Sequence, residues 1–105
     1  MAQFDVYANP NQNSKNTFPY IIDVQSSLLE SLETRLVIPV MLKSRYGEKT
    51  IRNLTPCITI KNQEYVVVTP QLASIHKKNL GSLVGNLKGE RDAIVASLDF
   101  LITGF

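Results

Sequence analysis

Tryptophan is absent from this chain, and cysteine and histidine occur once each, as Cys57 and His76. One cysteine excludes an internal disulfide and leaves no cysteine-based metal set. A lone histidine works as a general base only beside an oriented partner, and no serine or cysteine motif surrounds His76. His76 is therefore expected on the surface beside Lys77 and Lys78, and Cys57 is expected as a buried, inert thiol inside a strand. HExxH, P-loop and GxGxxG patterns are all missing. The carboxylate pairs Glu30/Glu33 and Glu90/Asp92 fall on turns, and helix capping accounts for the second pair. Neither resembles an acid–base pair in a cleft, so the expectation is a protein with no catalytic residue, metal or cofactor. The net charge is only +2. Basic residues come in short groups (Lys77-Lys78, Lys43/Arg45), so direct DNA binding is not expected. No apolar run approaches the ~20 residues of a membrane span, and no leader pattern opens the chain. A reducing cytoplasm is the expected location.

What is there is a globular composition, 44% hydrophobic over 105 residues, which suits one domain spanning residues 1–105. Gln3–Ala8 alternates as a half-buried strand, and Phe18–Gln25 reads as its hairpin partner. Between them, Asn9–Thr17 has no apolar residue and four asparagines, the mark of a mobile loop. Ser26–Thr34 is a helical turn or irregular loop. Arg35–Val40 is a buried strand whose Pro39 predicts an edge or a bulge at its end. Thr55–Ile60 and Tyr65–Thr69 form a hairpin across a four-residue loop, Lys61–Glu64. Pro70–Gly85 is mixed. From Leu87 to Ile102 the apolar spacing becomes helical, with Asn86 as N-cap and Gly104 as terminator. About five strands followed by one terminal helix make an α+β, mainly-β chain.

The last helical turn is apolar on more than one side, through Val95, Phe100, Leu101, Ile102 and Phe105. One protomer covers one face, so a two-fold homodimer is expected to cover the other, with Val95, Leu98, Leu101 and Ile102 at the interface.

These blocks resemble the CcdB toxin family along essentially the whole chain. The residues concerned are Gln3–Tyr7, Asp23-Val24-Gln25-Ser26 with Leu28-Leu29, Arg35–Pro39, and Pro56–Ile60 with the later Thr69 and Leu72–Ile75. The terminal helix ending in Gly104 and a large apolar residue completes the set. The resemblance implies an SH3-like barrel of the CcdB–MazF type, built as an antiparallel sheet with a C-terminal α-helix. It implies a homodimeric toxin of a two-gene toxin–antitoxin module that binds the DNA gyrase A subunit, traps gyrase on cleaved DNA and blocks replication. A CcdA-type antitoxin would neutralise it, and the pair would co-repress their operon, with DNA contacted by the antitoxin. The loop Asn9–Thr17 and the connection Lys43–Lys49 are the regions such a partner would order.

Carried over residue by residue, the resemblance implies gyrase contacts at Leu28, Leu29, Asp99, Ile102, Thr103, Gly104 and Phe105. Thr103 departs from the pattern, since the family often has Trp there to stack on a gyrase arginine, a contact of ~0.5–2 kcal/mol. Asp99 stands one turn earlier on the same face, often an uncharged amide in the family. Paired Asp99 carboxylates, one per protomer, would meet that arginine instead. Two other readings remain open. One is a MazF-like endoribonuclease, which would need a basic RNA groove with an arginine and a hydroxyl or histidine working together, whereas Arg35, Arg45, Arg52 and Arg91 are scattered and His76 is isolated. The other is a gyrase-inactive relative confined to operon regulation.

Overall fold

The computed structural model describes residues 2–47, 50–51 and 53–104. Among them the strands are β1 (Asp5–Ala8), β2 (Tyr20–Asp23), β3 (Thr34–Leu42), β4 (Cys57–Ile60), β5 (Gln63–Val67), β6 (Ala73–His76) and β7 (Leu83–Asn86). The helices are α1 (Lys43–Tyr46) and α2 (Arg91–Thr103). All pairings are antiparallel, in the order β4-β5-β3-β2-β1-β7, with β6 also on β3. The sheet curls into a half-barrel, so the α+β, mainly-β expectation holds. The strand count does not, because the mixed segment Pro70–Gly85 supplies β6 and β7 where periodicity shows none. Neither alternates, since Ala73–His76 and Leu83–Asn86 bury no side chain fully and so show no apolar face in the sequence.

The nine-residue β3 organises the sheet. One side pairs with β2, while the other pairs first with β6 through Val37↔Ala73 and then with β5 from Val40↔Val67. Pro39 lies in the gap between those two partners. It therefore neither ends the strand nor marks an edge, contrary to expectation. Its carbonyl accepts from the Val68 N–H at 3.0 Å on that side, where the missing proline N–H interrupts no ladder bond.

β1 is buried on both faces rather than half-buried, and β2 is buried likewise. Val6 and Ile22 enter the main core with Ile38, Val40, Val67 and Ile94, while Tyr7 and Ile21 join Val37 in a second cluster behind the sheet. The β4–β5 hairpin turns on two residues, Lys61 and Asn62, rather than four. Both have positive φ, 50° and 66°, as a type I′ turn requires. Cys57 is exposed at the start of the edge strand β4, not buried, because β4 buries the alternate side chains Ile58 and Ile60. Gly81 must be glycine, since a Cβ there would lie 2.2 Å from the Ala8 carbonyl oxygen that its own N–H binds.

α2 begins later than the apolar spacing predicts. Asn86 ends β7 and is not the cap of α2; its Oδ1 accepts from the Lys88 N–H at 2.8 Å, where a 3-10 turn begins ahead of the helix. Its Nδ2 donates to Asp5 Oδ1 at 2.9 Å and ties this turn to β1. Among the described residues no helix is long and apolar enough to cross a membrane.

Candidate functional site

Cover on α2 thins toward its end. Ile94 and Ser97 are fully buried; the Ser97 hydroxyl donates to the Ile94 carbonyl at 2.7 Å and lies 3.0 Å from the Thr69 hydroxyl. Val95 and Leu98 are half-buried against the chain's own core. Leu101 is 38% exposed and Ile102 74%. Val95, Asp99 and Ile102 stand at i, i+4 and i+7 and share one stripe. Of the four expected dimer residues, Val95 and Leu98 therefore serve the monomer core in part, and Ile102 is almost bare.

Gly104 ends the helix with φ 81° and ψ 14°, its N–H donating to the Phe100 carbonyl. Thr103 turns its hydroxyl back to the Asp99 carbonyl at 2.7 Å. Asp99 is exposed and takes part in none of the ion pairs among the described residues. The last turn carries no basic residue. A carboxylate beside the negative end of a helix costs the fold a few tenths to about 1 kcal/mol and concentrates negative potential there. The end of α2 is thus an apolar surface with a cation-attracting rim. Phe105 lies outside the described residues.

The other expected element is a 3-10 turn, Ser27–Leu29, started by the Ser26 hydroxyl accepting from the Leu28 N–H. Leu28 is 92% exposed, Leu29 47% and Leu32 48%. Within one protomer this loop and the end of α2 do not form one patch. Ser27 shares a shallow surface with Gln3, Lys88 and Arg91 at the start of α2. From there the 13-residue helix carries the chain about 18 Å along its axis before Gly104.

A groove of about 700 Å³ opens on the sheet face opposite the main core, floored by Ile21, Val37, Pro39 and Ile75 and rimmed by Asn9, Asn11 and Lys78. The Asn9–Thr17 loop that borders it is closed by its own asparagines. Asn9 Nδ2 donates to Ser14 Oγ and to the Phe18 carbonyl, and Asn11 Oδ1 accepts from the Asn13 N–H. The other expected partner region begins as α1; its residues Glu48 and Lys49 lie outside the described residues.

The chain matches the family described as CcdB protein over residues 3–104. It belongs to the CcdB family. Membership supports a toxin of the CcdB type in a toxin–antitoxin system.

Of the groups named for RNA cleavage, Arg45 and Arg91 are exposed, while Arg35 and His76 are engaged elsewhere. Arg35 is fully buried, and His76 accepts from the Lys78 N–H through Nδ1 while Nε2 faces Glu33 at 3.6 Å. Arg52 lies outside the described residues. Arg35 instead pairs side-on with Asp23, Nε to Oδ2 at 2.8 Å and Nη2 to Oδ1 at 3.1 Å, both side chains fully enclosed. Sequence reasoning passed over this pair. The signal was opposite charge on adjacent strands that are otherwise apolar, Ile21-Ile22-Asp23-Val24 and Arg35-Leu36-Val37-Ile38. Beside it, Asp5 collects the Ala2 N–H, the Tyr7 hydroxyl and Asn86 Nδ2. Burial, with the Asp5 carboxylate adding to it, pushes the Tyr7 phenol up to about 12.

Proposed function

We propose that this protein is a non-enzymatic toxin that acts as a homodimer on the A subunit of DNA gyrase, traps gyrase on cleaved DNA and is released by a CcdA-type antitoxin. The supporting observation is the end of α2, where Ile102 is 74% exposed beside Gly104, whose backbone is left-handed, and Asp99, which joins no ion pair among the described residues. Two such ends meeting about a two-fold axis give one symmetric apolar platform with a carboxylate from each protomer. An arginine of the partner suits that platform, reached by charge where a tryptophan would reach it by stacking. The same axis is needed to bring the Leu28–Leu29 loop of one protomer toward the helix end of the other. The antitoxin uses the groove beside the Asn9–Thr17 loop, and the pair represses its operon with DNA held by the antitoxin. The toxin acts in the cytoplasm, where gyrase is.

Expression without antitoxin tests the reading. Growth arrest with DNA-damage signalling and copurification of the gyrase A subunit are expected. A chain lacking residues 102–105 should fold and fail to kill. Arrest by loss of RNA, or full toxicity of the shortened chain, would overturn the proposal.

A further inference from the structure

Three leucines are exposed within the short segment from Leu28 to Leu32, Leu28 almost wholly and Leu29 and Leu32 by about half, which is unusual for a chain with so small a core. A slack loop would fold them against the nearest apolar surface. Here the backbone holds them out. The Leu29 carbonyl is a hub that accepts from Arg35 Nη1 at 3.4 Å, from Gln25 Nε2 at 3.3 Å and from the Leu32 N–H at 3.1 Å. Arg35 Nη2 also donates to the Gln25 carbonyl at 3.2 Å. Gln25 is itself fixed, because its Oε1 accepts from the Leu36 N–H at 3.0 Å and its own N–H donates to Asp23 Oδ1 at 3.0 Å. Lys77 Nζ donates to the Glu30 carbonyl from the far side.

A buried ion pair is a poor source of stability, since apolar residues of like volume do as well. What an apolar pair cannot do is hold loop carbonyls. We infer that the buried Asp23–Arg35 pair, relayed through Gln25, is a positioning device that presents the Leu28–Leu29–Leu32 loop, preformed, to gyrase. The inference rests on the gyrase reading above and adds Arg35, Gln25 and Leu32 to it. Asp23 orients the guanidinium, the guanidinium and Gln25 fix the Leu29 carbonyl, and the leucines follow. Preformation spares the ordering of this loop on binding.

Gln25→Glu separates positioning from folding. A glutamate keeps an oxygen for the Leu36 N–H and loses the donor to the Leu29 carbonyl, at a half-buried site. Arg35→Lys keeps the charge opposite Asp23 and loses the fork. Both are compared with Leu28→Ala for gyrase A subunit affinity, thermal midpoint and amide exchange at Leu32. Gln25→Glu should bind roughly tenfold more weakly, with faster Leu32 exchange and a nearly unchanged midpoint. Loss of affinity in Leu28→Ala beside wild-type affinity in Gln25→Glu overturns the inference. Wild-type affinity in Leu28→Ala instead places the fault in the gyrase reading of the loop. The exchange data then stand alone, and unaltered Leu32 exchange in Gln25→Glu overturns positioning too.

Discussion

Ile102→Ala separates binding from folding most sharply. With 74% of its surface exposed, Ile102 gives the monomer only about a quarter of what full burial yields. Full burial of an isoleucine is worth about 1.5–3 kcal/mol, so truncation costs the monomer roughly 0.5 kcal/mol. Docking would bury the remainder, roughly 1–2 kcal/mol per copy. Two copies at one symmetric site make that about 2–4 kcal/mol, a loss between roughly 30-fold and several hundredfold in affinity. Titration against the gyrase A subunit reads the affinity, thermal unfolding reads the fold, and sedimentation at the same concentration reads the dimer. A lowered affinity in a variant that remains dimeric assigns Ile102 to gyrase; a lowered affinity with dissociation assigns it to the two-fold contact. Affinity within a factor of two of the parent, with the dimer intact, refutes the reasoning.

Asp99→Ala should weaken gyrase binding by about tenfold at low salt and flatten its salt dependence, while raising stability by roughly 0.3–1 kcal/mol as a carboxylate leaves the negative helix end. Urea unfolding beside the titration checks both signs. Arg35→Met should cost about 3–5 kcal/mol by stranding Asp23, whereas the double change Asp23→Leu with Arg35→Met should recover most of it. A double variant no more stable than Arg35→Met alone would contradict that. Tyr7 bears on alkaline stability. Its raised pKa means the folded protein holds the phenolic proton more tightly than the unfolded chain does. That contribution, of order 2 kcal/mol, is constant below about pH 10 and is lost as pH rises from there toward 12. Tyr7→Phe should remove this alkaline decline, as unfolding midpoints across that range will show.

The terminal helix was legible because α2 is long enough for its period to repeat, and its Gly104 stop follows from one residue's tolerance of left-handed backbone. The hairpins were legible in outline. Their turns were not, since Lys61-Asn62 is a type I′ turn without the glycine that usually announces one. The strands β6 and β7 were not legible because neither buries one face, so no apolar alternation marks them. Pro39 misled because the rule against proline inside a sheet assumes one continuous neighbour on each side, and β3 changes partner there. Cys57 misled because type and strand membership do not fix which face a residue takes. At the candidate site, Leu28, Leu29 and the helix end were named by resemblance alone, and the structure leaves Leu28, Leu29 and Ile102 exposed. The buried pair beneath the loop was not, because a charge in a strand reads as an exposed position until its opposite charge is known to lie across the ladder.

The buried core and the proposed contact residues are largely separate in this chain. Ile22, Ile38, Val40, Val67, Ile94 and Ser97 have essentially no exposure, while Leu28, Ile102 and Thr103 stand in water. Truncations at the exposed set should therefore leave the fold intact, as the sixfold difference between the roughly 3 kcal/mol of a buried isoleucine and the 0.5 kcal/mol of Ile102 implies. Arg35 breaks the separation. It is fully enclosed, yet two of its nitrogens reach the carbonyls of an exposed loop. A change there disturbs core and proposed contact loop together, so a loss of toxicity at Arg35 says little by itself. Gln25, half-buried and bonded to the same carbonyl hub, is where the two effects come apart.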